Sequence, residues 1–318
     1  MAVAVLSSAL STLGAIAEAQ SIALPGRRAF PESLTSTVDG TLFIGRLGDG
    51  GIVRAKPRTG EVVVFVAPGK SESRSISGVF ADDAANTLWA CSNDLSALGG
   101  PSSGGDSGSA LKGFDLATGA AKRSVPLPGA HAFCNDIAVD SSGAVYVTDS
   151  AAPNILRLPA GASAFEVFSS SPQFAPPRGG FGLDGIAFGS DGNVYVTTYT
   201  AGGFFRVEVK AGKAGLVTKL RGTTPLASPD ALRPLGQNSL LLVEGSGTLD
   251  RVDIKGDTFA ITPIRGGFRG PTSVTRVRST AWVSEGQLAF FFDPSRKELA
   301  PLLPFRIYAV PLTGEQTR

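Results

Sequence analysis

One segment of this 318-residue chain recurs at a regular interval, and that periodicity restricts the fold more than any other feature. Asn135-Asp-Ile-Ala-Val-Asp-Ser-Ser-Gly-Ala-Val-Tyr-Val-Thr-Asp149 reappears as Asp184-Gly-Ile-Ala-Phe-Gly-Ser-Asp-Gly-Asn-Val-Tyr-Val-Thr-Thr198. In both, alternating apolar residues flank a Ser-Gly or Asp-Gly pair, where glycine's tolerance of positive φ suits a tight hairpin turn. Weaker copies begin at Glu32 (ESLTSTVDGTLFIG), Ser77 (SGVFADDAANTLWACS), Asp230 (DALRPLGQNSLLLVEG) and Thr272 (TSVTRVRSTAWVSEG). The six starts lie 45, 58, 49, 46 and 42 residues apart, a period that signals propeller blades.

A second marker, a short apolar strand carrying Arg or another polar residue, follows each hairpin. It falls at Arg54, Asp115, Arg157, Arg206, Arg251 and Tyr308, which lie 22, 38, 22, 22, 21 and 36 residues past their hairpin starts. Each unit therefore supplies strands A, B and C, and a fourth strand D follows the marker, as in Glu61-Val-Val-Val-Phe-Val66. The predicted fold is all-β, a six-bladed β-propeller spanning residues 20–318 as one domain. Unit six ends at Leu312 without a fourth strand, while Ser21-Ile-Ala-Leu24 precedes unit one without a partner. The N-terminal strand is thus expected to close the last blade by pairing with residues 305–311, which removes an open seam. The two long units carry insertions at 93–111 and 287–304, between strands B and C. Both are expected at the channel mouth with the 169–183 connection, forming a lid whose Leu288-Ala-Phe-Phe-Phe292 segment turns inward.

Composition supports a folded chain and narrows its partners. Gly 40 and Pro 21 indicate many turns, and 42% hydrophobic residues supply a core. Lys+Arg 29 against Asp+Glu 27 leaves no basic field for nucleic acid, and no later segment approaches the roughly 20 apolar residues of a membrane span. No protein partner is implied. The single histidine, His131, excludes a multi-imidazole metal site. Cys91 and Cys134 close strand B of blade two and open strand A of blade three, and a disulfide between them is one reading in an exported chain. Residues 1–19 are apolar and end in Ala17-Glu18-Ala19, the pattern of a secretory leader, although no Lys or Arg precedes Arg27. The expected location is periplasmic or secreted, with the cytoplasm as the alternative.

Strand A lies innermost in a propeller, so its first residues surround the axis. Those residues are Glu32, Ser77, Asn135, Asp184, Asp230 and Thr272, all polar oxygen donors. Glu32, Asn135, Asp184 and Asp230 bring three carboxylates and an amide together, and the repulsion among them is relieved by a hard cation. Ca²⁺ accepts such oxygens, whereas zinc favours the His or Cys ligands missing here. Phe133, Phe181 and Phe268, each shortly before a strand A, point to an apolar pocket wall.

These residues resemble the regucalcin/gluconolactonase propellers and the related diisopropylfluorophosphatase. Cys134-Asn135-Asp136 looks like the third-blade metal-ligand segment of the latter. The resemblance implies one divalent metal, commonly Ca²⁺, held by Glu32, Asn135, Asp184 and Asp230. Asp184 stands where the family usually has Asn, and Phe133 where sugar-lactone members place Arg. It further implies hydrolysis of a lactone or related ester, a small-molecule substrate, with Asp230 as general base or nucleophile. The alternative is a non-enzymatic ligand-binding or interaction propeller with a structural cation.

Overall fold

Turn chemistry shapes the repeat locally. In blade three, Asp140 accepts from the Ser142 and Ala144 amides, while Gly143 takes a positive φ of 79°. Tyr146 then donates to Asp140 at 2.9 Å, and Tyr195 makes the same bond to Asp191 at 2.8 Å in blade four. The recurring tyrosine thus locks each strand B onto its own turn.

The computed structural model describes residues 20–101, 108–296 and 298–314. Six sheets, antiparallel apart from one added edge strand, form a six-bladed β-propeller. Strand A of the successive blades is Pro31–Ser36, Ser75–Asp82, Cys134–Val139, Leu183–Phe188, Pro229–Gly236 and Pro271–Val277. The sixth sheet is completed by Ser21–Ala23, which pairs antiparallel with Arg306–Pro311 in the register Ser21↔Tyr308 and Ile22↔Ile307. The expected closure is therefore present, and the backbone bond from Leu24 to Phe305 extends it. One strand was not anticipated: Arg221–Gly222 pairs in parallel with Thr258–Arg265 at the outer edge of blade five. The leader-like segment 1–19 lies outside the described residues. Among those described, no helix is long and apolar enough to cross a membrane.

The core is divided among the blade interfaces. Trp282 and Ile307 of blade six meet Leu34 and Ile44 of blade one, and an equivalent cluster fills each of the other five junctions. Side chains alternate along a strand, so a blade packed on both faces must bury both sets. Val145–Asp149 is accordingly buried throughout.

A shared irregularity brings the polar residues to the axis. In all six blades the A–B register breaks near the start of strand A: between Pro31 and Ser33, Ile76 and Val79, Cys134 and Ile137, Leu183 and Ile186, Pro229 and Leu232, and Pro271 and Ser273. Such a bulge turns side chains out of the normal alternation and leaves peptide groups needing other partners. Strand-B hydroxyls supply them. Thr148 Oγ1 accepts from the Asp136 amide at 3.0 Å and donates to the Asp184 carbonyl of the next blade at 2.6 Å. Thr197 repeats the arrangement, accepting from the Gly185 amide and donating to the Asp230 carbonyl. The blades approach so closely that a Cβ on Gly78 would sit 2.1 Å from the Asn135 carbonyl oxygen, and one on Gly185 would sit 2.3 Å from that of Asp230.

Cys91 and Cys134 are joined, with Cα atoms 5.2 Å apart. The bond ties strand B of blade two to the residue preceding Asn135.

Removing residues 1–25 should eliminate the closing strand and lower the melting temperature by roughly 5 °C or more, the scale of a loss of a few kcal/mol in a chain of this size. Removing residues 1–19 alone should leave it unchanged. Calorimetry on the two truncations checks this, and equal melting temperatures would contradict a stabilising role for the seam.

Candidate functional site

Four strand-A bulges place Glu32, Asn135, Asp184 and Asp230 on one cavity of about 660 Å³. All four are buried, each exposed by no more than 8%. Asn135 donates through Nδ2 to Ser150 Oγ at 2.8 Å, and Ser150 donates on to the Leu183 carbonyl at 2.5 Å. The amide oxygen of Asn135 is left as an acceptor. Ser77 and Thr272, the other two strand-A starts, instead serve the frame. Ser77 donates to the Cys134 carbonyl at 2.6 Å, and Thr272 donates to the Pro31 carbonyl at 2.9 Å.

A fourth buried carboxylate stands behind these donors, paired with a buried guanidinium. Asp136, beside Asn135, is also buried and meets Arg233, three residues beyond Asp230. Arg233 Nη1 and Nη2 donate to the two Asp136 oxygens at 2.7 and 2.9 Å, and Nη1 also reaches the Leu232 carbonyl at 2.7 Å. Asp136 further accepts from the Ile186 amide at 3.1 Å, so it links blades three, four and five. Removing one partner of such a buried pair typically costs about 3–5 kcal/mol, because the other charge is stranded.

Because Arg233 is engaged with Asp136, burial acts strongly on the other carboxyls. Desolvation first, and then the charge of Asp184, lifts Glu32 well above the carboxylate range. Desolvation followed by Asp136 pushes Asp184 up to about 7, although hydrogen bonds from Asp230 and Asn135 pull it back. Asp230 is raised well above its ordinary value by burial, then by Asp184 and Glu32. Hydrogen bonding between the two side chains couples them, lowering Asp184 and raising Asp230 further. Tyr199, half-buried on the same cavity, is raised by burial and then by Asp230 and Asp184, which keeps its phenol neutral.

The donor set suits a hard divalent cation: all its groups are oxygens, and three buried carboxyls lack a committed positive partner. Among the described residues, no three His, Cys, Asp or Glu side chains are already gathered so as to hold an ion. The donors line a common floor without forming a finished coordination sphere.

Above the floor the walls are aromatic. Phe133 and Phe181 are 5.8 Å apart between ring centroids, Phe181 and Phe292 5.2 Å, and Phe181 and Tyr199 6.4 Å. Phe292 belongs to the short helix Ala289–Phe292 in the blade-six insertion, and Leu288, Phe290 and Leu302 of that insertion also line the cavity. This part of the expected lid lies over the site with its apolar segment facing in. The blade-two insertion differs. Its Asp94–Ala97 stretch and Gly108 border an adjoining cavity of about 550 Å³, separated from the first by Phe133 and Phe181. His131 lines that second cavity and is away from the carboxylate floor. Phe268 is not a wall residue. It is buried at the blade five–six junction, against Tyr308 and under the Arg265 guanidinium.

No protein-family model and no curated protein matches the sequence. Solved structures do match. A gluconolactonase from Xanthomonas campestris superposes with a TM-score of 0.66 at 16% identity, covering 94% of this chain and 91% of that one. The calcium-binding protein regucalcin from Agrobacterium tumefaciens gives 0.61 at 15% identity, covering 94% and 98%. The chain has the fold of the regucalcin and gluconolactonase propellers. A virginiamycin B lyase from Staphylococcus aureus aligns at 0.58 and 16% identity over 93% and 99%. Regucalcin/gluconolactonase-like architecture therefore sits within a group of similar propellers whose enzymes run different reactions, and function must be argued from the site.

The raised carboxyls predict a pH signature. A carboxyl whose folded-state pKa is raised penalises folding as pH climbs from about 4 through its folded value, because the unfolded chain releases the proton first. Without added cation, Asp184→Asn should therefore be more stable than the wild type above pH 7 and no more stable near pH 4. Saturating Ca²⁺ should remove the mutant's advantage at high pH. Paired thermal melts across pH, with chelator and with Ca²⁺, check both statements.

Proposed function

We propose that the protein is a metal-dependent hydrolase acting on a lactone or related ester. The supporting observation is the buried group of three carboxyls and an amide, drawn from four blades onto the floor of one substrate-sized cavity. Glu32, Asn135, Asp184 and Asp230 would hold one divalent cation, Ca²⁺ by the hardness of the donors, as their side chains draw together. When bound, that cation would neutralise the floor and polarise the substrate carbonyl.

The chain's own groups supply the rest. Asp230, once deprotonated, accepts the proton of an attacking water as general base; alternatively it attacks the acyl carbon, the ester C–O bond breaks, the leaving oxygen takes a proton from water, and a second water hydrolyses the acyl-enzyme to free Asp230. Asn135 is fixed by Ser150 and so keeps its oxygen pointed away from that anchor. Tyr199, held neutral beside Asp230, is placed to donate a hydrogen bond to the substrate. Phe133, Phe181 and Phe292 exclude bulk water and seat the substrate's apolar part. Phe133 in the place of an arginine, and the extra charge of Asp184, weigh against a sugar lactone. The Cys91–Cys134 bond supports an oxidising compartment, periplasmic or extracellular, reached through a leader at residues 1–19.

Asp230→Asn preserves shape and an oxygen donor while removing the base. It should reduce kcat by about 10²–10⁴-fold, with the fold intact and Ca²⁺ affinity changed far less. A metal-supplemented series of lactones, aryl esters and phosphotriesters provides the assay. A cation held only for structure would leave no turnover for any of them, while the cation still raised the melting temperature.

A further inference from the structure

Charge and hydrogen-bonding capacity are layered along the axis of the cavity. The floor is acidic and the middle is aromatic. The mouth carries Arg269, Arg296 and Asp293. Asp293 is already occupied: it accepts from the Ser295 amide and hydroxyl at 2.9 and 2.7 Å and stands 3.6 Å from Arg296. The Arg296 guanidinium also lies over the Phe290 ring, 5.7 Å from its centroid. Arg269 is exposed and has no carboxylate at ion-pair distance among the described residues. Its backbone amide is pinned by Glu285 at 2.9 Å, which fixes where the side chain leaves the rim. The mouth thus has a surplus of positive charge above an acidic floor.

Apart from the Tyr199 hydroxyl, the polar residues between these layers have little hydrogen-bonding capacity left. Both ends of the Gln287 amide bond the Leu302 main chain at 2.9 Å. The Thr272 hydroxyl is engaged with the Pro31 carbonyl and Ser284, and the Asn135 amide nitrogen with Ser150. A polyhydroxylated substrate would lose hydrogen bonds to water and gain few here, and each group left unpaired weakens its binding. An alkyl or aryl group suffers no such loss.

We propose that the cavity selects an amphipathic anion: an ester or lactone that enters reactive end first, lays its alkyl or aryl body against Phe133, Phe181 and Phe292, and leaves a carboxylate or similar anionic group at the mouth on Arg269 and Arg296. The orientation follows from the layering, since the guanidinium groups on the cavity, Arg269 and Arg296, stand at the rim and attract an anion there. The catalytic half of this statement rests on the hydrolase reading, whereas the binding half does not.

Two measurements separate the halves. In the first, phenyl hexanoate is compared with the monophenyl ester of adipic acid, which adds one carboxylate at the far end of the chain. The monoanion should have the higher kcat/KM by about tenfold, and Arg269→Ala should bring that ratio toward one. In the second, calorimetry compares 6-phenylhexanoate with 6-phenylhexan-1-ol, neither of which can be hydrolysed. Tighter binding of the carboxylate, lost in Arg269→Ala, supports the inference even if no ester is turned over, in which case only the hydrolase reading fails. Equal affinity for acid and alcohol, or an Arg269→Ala variant that keeps the full preference for the anion, overturns it.

Discussion

Every blade must bring its innermost strand to a crowded axis, where a regular ladder would leave no way to aim polar side chains inward. The bulge near the start of strand A meets that requirement, and the strand-B hydroxyls make it tolerable. Thr148 and Thr197 each satisfy a freed amide in their own blade and a carbonyl in the next. The same hydrogen bonds that join neighbouring blades therefore set the direction of the site residues. Gly78 and Gly185 are part of this constraint, because any side chain there would collide with the next blade's backbone.

Burial at the axis has an electrostatic consequence. Four carboxyls converge and one guanidinium answers them. Arg233 is spent on Asp136, so its charge stabilises the frame, while Glu32, Asp184 and Asp230 are left to compete for protons. A site whose carboxyls retain protons only because no positive charge faces them, and which offers only oxygens, is receptive to a hard cation. The aromatic wall deepens the effect by keeping water away, so the charge imbalance that costs stability also creates the binding chemistry.

Much of this was readable beforehand, for identifiable reasons. Hairpins are local and carry their signal in a dozen residues, which made six blades and their four axial donors visible. The seam was legible because an unpartnered strand at one end matched a missing strand at the other. Contacts formed between units were not. Arg233 follows Asp230 by three residues but finds Asp136 two blades away, and no periodicity marks that pairing. Phe268 precedes a strand A just as Phe133 and Phe181 do, yet it packs outward of the cavity under Arg265. Spacing along a strand shows which residues are equivalent, whereas packing between sheets decides what each one touches. The blade-two insertion shows the same limit, since its length was evident while its place beside a separate cavity depended on Phe133 and Phe181 meeting across the divide.

The seam also orders events in time. Ser21 pairs with Tyr308, so a strand made before the first blade waits for one made after the fifth. Five blades can form sequentially from neighbouring segments, but the ring stays open until Arg306–Pro311 has been made, and the first sheet meanwhile lacks the neighbour that covers one of its faces. Until that moment Glu32, in the first blade, has no closed circle in which to face Asp184 and Asp230. The axial site therefore matures only after the sixth blade has been made, and until then the growing chain exposes two unsealed blade faces to chaperones or to aggregation.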